Sequence, residues 1–259
     1  LEARIASLGP THPAVATSLA NVGAAHAARG DFASALPYFE RALEIREAAL
    51  GPAHPRLGAF LSDVGRALAA LGRGAEARPL LERALAIDRA RLGEDHPDVT
   101  AREHALGVLL LELGDLAAAR PLLERVLERV SAGPHDGAAA ALPSVAAALY
   151  AVARVDLLEG SHKAAKRRLQ RALKVVDVAA EPLLVARVKK LLAALLRESR
   201  KTRGRGDQLA AEALAAFQAI DPQAHAEAIA ELEAWIGPAA PEASATPTKR
   251  AKKRRKPKR

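Results

Sequence analysis

The chain of 259 residues contains 50% hydrophobic side chains, only 3% aromatic ones and no cysteine, which favours closely packed helices over sheets and excludes disulfides and thiolate metal sites. No apolar run reaches the ~18 residues of a membrane span, and we expect a cytoplasmic protein. The formal net charge of +9 is concentrated in two segments: residues 163–205 carry 14 Lys or Arg against 3 acids, and residues 249–259 carry 9 Lys or Arg and no acid.

The first ten residues, LEARIASLGP, match the later stretch LEIREAALGP (residues 43–52) at seven of ten positions. In its second occurrence this stretch ends a predicted helix. Residues 1–7 are therefore predicted to be the end of a second helix whose first helix is absent, which indicates a truncated repeat. On this interpretation the chain is a fragment of a longer protein.

Three regular repeats of 42 residues follow, over residues 8–133, and self-similarity at such a period is the signature of a repeat architecture. They open with the phrases LGPTHP, LGPAHP and LGEDHP. Each repeat predicts two helices joined by a short turn. Proline is suited to the first position of a helix, glycine to the turn after it, and aspartate to capping the next helix. The residues in these roles are Pro13, Pro55 and Pro97, then Gly30, Gly72 and Gly114, then Asp31 and Asp115.

The histidines of the opening phrases, His12, His54 and His96, raise the question of a shared metal. Equivalent residues in neighbouring repeats are separated by roughly 8–10 Å, whereas nitrogens that ligate one zinc lie only about 3–4 Å apart. One metal therefore cannot join all three, and we interpret the phrase as a structured loop before each first helix. A metal shared by His96 and His104 is left open.

These repeats resemble the tetratricopeptide repeat, in the 42-residue form found in kinesin light chains and many bacterial signalling proteins. The family's small site, where two helices approach closely, is matched by Gly23, Gly65, Gly107 and Ala153. The resemblance implies an all-α fold in which helix-turn-helix repeats stack into a right-handed superhelical solenoid. It also implies a concave groove lined by the first helices, with these candidate contact residues: Asn21, Asp63, Arg66, His104, Tyr150 and Arg154.

Two acids depart from the family pattern, because Glu103 and Asp156 stand where it has large apolar side chains. The following segment, residues 134–220, is predicted to form two degenerate repeats. Within it, RGRGD (residues 203–207) is interpreted as part of a long turn, since no strand precedes it and a third glycine is missing for a dinucleotide-binding motif.

The last part of the chain is divided into three segments. Residues 221–236 are predicted to form a capping helix that starts at Asp221-Pro222 and has one apolar stripe. Residues 237–248 have the composition of a disordered linker. Residues 249–259 form a basic tail that is too charged to bury a core. Its candidate polyanion-binding residues are Lys249, Arg250, Lys252, Lys253, Arg254, Arg255, Lys256, Lys258 and Arg259.

Catalytic motifs are absent from the sequence, which contains no phosphate-binding loop, no nucleophile elbow and no zinc-protease helix. We expect no enzyme activity of this segment, no cofactor and no metal. The repeated acids beside arginines, such as Glu82 beside Arg83, are interpreted as a solvated surface with local ion pairs. A second basic segment, HKAAKRRLQRALK (residues 162–174), is interpreted as the solvated outer face of a second helix.

The sequence thus predicts a scaffold that binds a peptide or a partner domain in a concave groove. One alternative is the regulatory or sensor region at the C-terminal end of a bacterial serine/threonine kinase or another signalling protein. A second alternative is association with nucleic acid or an anionic surface through the basic tail, where neutralised phosphates would make binding sensitive to salt.

Overall fold

A computed structural model describes residues 1–52, 54–133 and 144–236. These residues form twelve α-helices and no strand. The helices are α1 (Glu2–Leu8), α2 (Pro13–Ala28), α3 (Phe32–Leu50), α4 (Gly58–Ala70), α5 (Gly74–Leu92), α6 (Pro97–Glu112), α7 (Leu116–Ser131), α8 (Val145–Leu158), α9 (His162–Val175), α10 (Pro182–Arg197), α11 (Arg203–Ile220) and α12 (Ala226–Ile236). None of these helices is both long enough and apolar enough to cross a membrane.

The helices pack in consecutive pairs, α2 with α3, α4 with α5, α6 with α7, α8 with α9 and α10 with α11. Each second helix also packs on the first helix of the next pair, and α12 covers α11. The result is an all-α repeat superhelix, as predicted. The first helices α2, α4, α6, α8 and α10 contact one another in succession. Because helices on the inside of a curved stack lie closest together, we identify this layer as the concave side.

The repeated histidines cap the first helices. In each opening phrase the histidine Nδ1 accepts a hydrogen bond at 3.1 Å from the backbone N–H two residues later, which satisfies one of the free donors at the helix start. Pro13 and Pro97 occupy the first position of α2 and α6, as predicted. Pro55 instead starts a short 3-10 helix, Pro55–Leu57, which leads into α4. The three repeated histidines thus share one structural role, as caps of the helix that follows each of them.

The turns inside the first three pairs follow the sequence prediction. Gly30, Gly72 and Gly114 have φ angles of 78°, 75° and 79°, a conformation that side chains disfavour. Asp31 and Asp115 then cap α3 and α7, because their carboxylates accept backbone N–H groups at 3.0 and 3.2 Å. The turn within a helix pair is therefore formed by residues that the sequence shows directly: a glycine with positive φ and, in two of the three pairs, an aspartate that caps the next helix.

The small site brings the two helices of each pair into direct contact. A Cβ atom placed on Gly65 would lie 2.7 Å from a methyl carbon of Leu81, and one on Gly107 would lie 2.7 Å from the equivalent carbon of Leu123. Leu81 and Leu123 are both buried. Glycine at these positions therefore sets how closely the first helix packs on the second.

The two acids that depart from the apolar pattern are buried in networks of arginines. Glu103 is fully buried, and its carboxylate binds the guanidinium groups of Arg89, Arg125 and Arg129 at 2.6, 3.1 and 2.7 Å. These arginines come from α5 and α7, so Glu103 on α6 joins two successive pairs. Arg125 follows Glu124 as Arg83 follows Glu82, a pattern interpreted above as solvated ion pairs, but it contributes to this buried network instead.

Asp156 is the second such acid. It is 2% exposed and binds Arg120 of α7 at 3.0 Å, together with Arg168 of α9. A third buried acid, Asp88 of α5, binds Arg102 of α6 at 3.1 Å. Each acid therefore links neighbouring repeats, and the networks account for the acidic departures from the apolar pattern.

Two local predictions near the C-terminus are wrong. The stretch RGRGD does not form a turn, because α11 begins at Arg203. The turn is shorter and ends at Thr202, whose hydroxyl donates to the carbonyl of Leu196 at 2.6 Å and so closes α10. The last helix begins at Ala226 rather than at Asp221-Pro222. The Asp221 carboxylate accepts hydrogen bonds from the backbone N–H groups of residues 223 and 224. These bonds hold the segment as a turn, so the helix starts only after it.

Candidate binding groove

The concave layer contains two adjacent hollows between successive first helices. The hollow between α2 and α4 encloses about 520 Å³ of space, part of it open to solvent, and the hollow between α4 and α6 about 710 Å³. Both are bounded by Phe32 and Arg66, which separate them. The first is otherwise lined by Ala24, Ala27, Ala28, Phe39, Asp63 and Ala67, and the second by Ala69, Ala70, Leu81, His104, Ala105, Val108, Leu109 and Glu112.

Three of the six predicted groove residues meet at these hollows. Asp63 lies at the first, His104 at the second, and Arg66 at both. The walls of the two hollows are mostly alanine, and these small side chains on α2 and α4 leave the space open. The floor is formed by large apolar side chains from the second helices, such as Phe39 and Leu81.

The other three predicted residues lie away from the two hollows. Asn21 is exposed on α2, at the position that Asp63 occupies in the next repeat. Tyr150 and Arg154 lie half-buried on α8, with the guanidinium carbon of Arg154 6.0 Å from the Tyr150 ring centre. Arg154 also lies 3.8 Å from the carboxylate of Glu112. These residues extend the polar surface of the same layer beyond the hollows.

Several polar groups of the concave layer, at the hollows and beside them, have no hydrogen-bonded or ion-paired partner within the described residues. Within the described residues, the side chains of Asn21 and His104 make no hydrogen bond, and Arg66 has no carboxylate within 4.0 Å. Polar groups that face a sheltered hollow without a partner gain from binding a ligand that supplies one. Backbone amides and carbonyls of a bound peptide are groups of that kind.

The walls of the groove shift the protonation of its residues. Burial lowers the pKa of His104 to about 4, so its imidazole is neutral near pH 7 and offers one donor and one acceptor. Burial raises the pKa of Asp63, against the opposing effects of Arg66 and Arg102. Burial also raises the pKa of Tyr150, whose hydroxyl stays protonated. These three groups are thus partly shielded from water and able to form hydrogen bonds.

Phe32 was missed by sequence reasoning, although it separates the two hollows. It is the first residue of α3, directly after the cap Asp31. The available signal was composition, because the chain has only four phenylalanines. A rare aromatic side chain at the start of a second helix, next to the first helix of the following repeat, is a reasonable candidate for a groove wall.

The sequence also raised two other kinds of site, the basic tail and a metal site. The tail residues from Lys249 to Arg259 lie outside the described residues, so their polyanion binding stays a prediction. In the part of the chain that the structure describes, no group of three or more His, Cys, Asp or Glu side chains could hold a metal ion.

Comparison with known proteins places the repeats in a family. Two tetratricopeptide-repeat models match residues 15–56 and 56–132. No curated protein matches the chain. The chain is similar to a solved structure of nearly identical TPR-like repeats assigned to a kinesin light chain of Podosopora anserina, with 24% identity, a TM-score of 0.59, and coverage of 80% of this chain and 96% of that one.

Two further structures share the fold. One is BtubC (BKLC) from P. vanneervenii, with 19% identity, a TM-score of 0.58, and coverage of 81% of this chain and 82% of that one. The other is the Rap conjugation gene regulator of the plasmid pLS20 in complex with the Phr* peptide, with 11% identity and a TM-score of 0.65. That match covers 84% of this chain and 57% of the regulator.

Proposed function

Residues 15–132 match models of the tetratricopeptide repeat, and on that premise we propose that the chain is a scaffold that binds a peptide segment of a partner protein in its concave groove. The observation that carries this proposal is the pair of hollows that share Phe32 and Arg66. A peptide that crosses α2, α4 and α6 places one side chain in each hollow.

The chemistry of the groove suits a peptide backbone with apolar side chains. Alanines and phenylalanines line the hollows, and burying apolar surface there contributes about 25 cal/mol per Å². Arg66, between the hollows, can donate to a backbone carbonyl or to a carboxylate. The similar Rap regulator was solved with a peptide bound, which supports a peptide rather than a small metabolite as the ligand class.

The test is a selection of peptides followed by blocking of the groove. A displayed library of 12-residue peptides is selected on the full chain, and the affinities of enriched peptides are measured by fluorescence anisotropy. Ala24→Trp fills the first hollow from an exposed position. We expect it to weaken the enriched peptides by about tenfold or more, because the bulky ring takes the place of a peptide side chain.

The matched control is Ala48→Trp, at an alanine that is also exposed but lies on the second helix α3. This variant should bind the enriched peptides like the unmodified chain. If Ala24→Trp and Ala48→Trp both leave the affinity unchanged, or if the library yields no specific peptide, the proposal is wrong. The kinase-regulatory hypothesis stays a prediction from the sequence.

A further inference from the structure

The basic segment at residues 163–205 separates into two kinds of cation. On α10 the lysines are neutralised within the fold, since Lys189 binds Glu212 of α11 at 2.9 Å and Lys190 binds Glu231 of α12 at 2.5 Å. These cations hold the end of the solenoid together. They are not available to an external partner.

The cations on the outer face of α9 differ from those of α10. Within the described residues, Lys163, Lys166, Arg167 and Lys174 have no carboxylate within 4.0 Å. Arg168 turns inward instead, to the buried Asp156. Because solvated cations that are close together repel one another, a surface of this kind gains when an anion binds to it.

Some of these cations border a furrow on the convex side. The furrow runs between α9 and α11 and encloses about 950 Å³, part of it open to solvent. Lys166, Lys174 and Arg205 stand along its two edges. Leucines from α9, α10 and α11, including Leu173 and Leu192, form its floor. Positive edges and an apolar floor therefore occur in one depression.

The furrow is a consequence of how α11 starts. Gly206 brings the first turn of α11 onto the backbone of α10, since a Cβ atom there would lie 3.0 Å from the carbonyl oxygen of Ala193. Thr202, the residue just before α11, donates its hydroxyl to the carbonyl of Leu196 and so ties the start of α11 to the end of α10. As a result α10 forms the bottom of the furrow, and α9 and the start of α11 form its two sides.

We propose that this furrow is a second interaction surface, which binds an acidic segment of a partner protein that also presents apolar side chains. The three edge cations pair with carboxylates, and the leucine floor receives the apolar residues. Among the described residues that line the furrow no ring is aromatic, which disfavours the base stacking used by proteins that bind single strands. A flat membrane surface does not reach a recessed floor.

This surface is independent of the concave groove. It is built from the second helices α9 and α11 with α10 as the floor, and its described lining residues differ from those of the hollows around Phe32 and Arg66. The two sites therefore allow one scaffold to bind two different segments at the same time. Failure of one proposal leaves the other in place.

The test uses a labelled peptide of three Glu-Glu-Leu-Leu units and measures its binding to the full chain by fluorescence anisotropy. The double variant Lys166→Glu/Lys174→Glu reverses two edge charges. We expect it to weaken binding by about tenfold, because two attractive pairs become repulsive. The matched control is Arg167→Glu/Arg171→Glu, which also reverses two charges. These exposed cations lie on the same helix but do not line the furrow, so binding should stay within about twofold.

A second peptide, with every leucine replaced by serine, tests the floor without any change to the protein. It should bind at least about tenfold more weakly than the leucine peptide if the apolar contacts form. Circular dichroism of each protein variant checks that the helices are intact.

Three results would overturn the proposal. The first is an absence of binding of the leucine peptide to the unmodified chain. The second is equal affinity for the double variant and the unmodified chain, which would assign any acidic binding to other cations such as the tail. The third concerns other anions: a 20-residue oligothymidine and vesicles with 30% phosphatidylserine. If the double variant loses as much affinity for either of them as it loses for the peptide, the proposal is wrong. That result would identify a general anion surface.

Discussion

Neutralising Glu103 tests whether the buried arginine network stabilises the repeat stack. Glu103→Gln keeps the size and shape of the side chain but removes its charge. The carboxylate is fully buried and accepts from Arg89, Arg125 and Arg129 at 3.1 Å or less. The amide that replaces it has one acceptor oxygen and a donor NH2 group, which faces guanidinium groups that can only donate.

The magnitude follows from the number of bonds and from their exposure. A hydrogen bond to a charged group contributes about 1.5–3 kcal/mol, which gives an upper bound near 9 kcal/mol for three. Arg125 is 39% exposed and Arg89 29%, so water screens their share. Both also approach Glu94, which offers an alternative partner. We therefore expect a loss of about 2–4 kcal/mol, at or below the lower part of the roughly 3–5 kcal/mol that breaking a fully buried pair costs.

The assay is urea unfolding followed by circular dichroism, with midpoints compared because repeat arrays need not unfold in one step. The control is Glu82→Gln, which removes an exposed pair with Arg78 on α5 and should leave the midpoint almost unchanged, because solvent screens such pairs. The difference should persist in 1 M salt, because buried pairs are screened less than exposed ones. Equal midpoints for Glu103→Gln and Glu82→Gln would refute the reasoning.

Two further predictions concern the small site and the groove. Gly65→Val should lower the thermal midpoint through a loss of about 1–3 kcal/mol, because the added carbons overlap the buried Leu81; a midpoint equal to that of the unmodified chain would contradict this. His104 has a folded pKa of about 4, below its unfolded value near 6.5, so on acidification the unfolded state takes up the proton first. The free energy of unfolding should therefore fall as the pH is lowered from about 6.5 to about 4. Thermal melts at pH 7 and pH 5 check this: the midpoint of His104→Gln should drop less between the two pH values than the midpoint of the unmodified chain.

The regular repeats could be predicted from the sequence because their signals are local. Proline at a helix start and glycine with positive φ after it act within a few residues, and a 42-residue period repeats them three times. Asp31 and Asp115 cap the helices that their positions predict. Where local signals conflicted, prediction failed: the glycines of RGRGD indicated a turn, but tertiary packing of Gly206 against α10 keeps that stretch helical.

The groove was predicted in part. The resemblance indicated which helical face points inward and so gave Asp63, Arg66 and His104 at the hollows. The sequence could not show that Phe32 separates the hollows, because Phe32 belongs to a second helix and reaches the groove only through the packing of α3 against the next pair.

The sequence by itself determined the helix pairs, most of their boundaries in the regular repeats and the order in which they stack, because each depends on residues close together in the chain. Only the tertiary structure decided the partners of the charges. Glu103 marked a departure from an apolar site, yet its three arginines come from two other helices. The basic residues of 163–205 looked alike in sequence, but the lysines of α10 lie against acids of α11 and α12, while Lys163, Arg167 and Lys174 of α9 face solvent. Ion pairs act through space over a few ångströms, so packing, and not sequence order, chooses them.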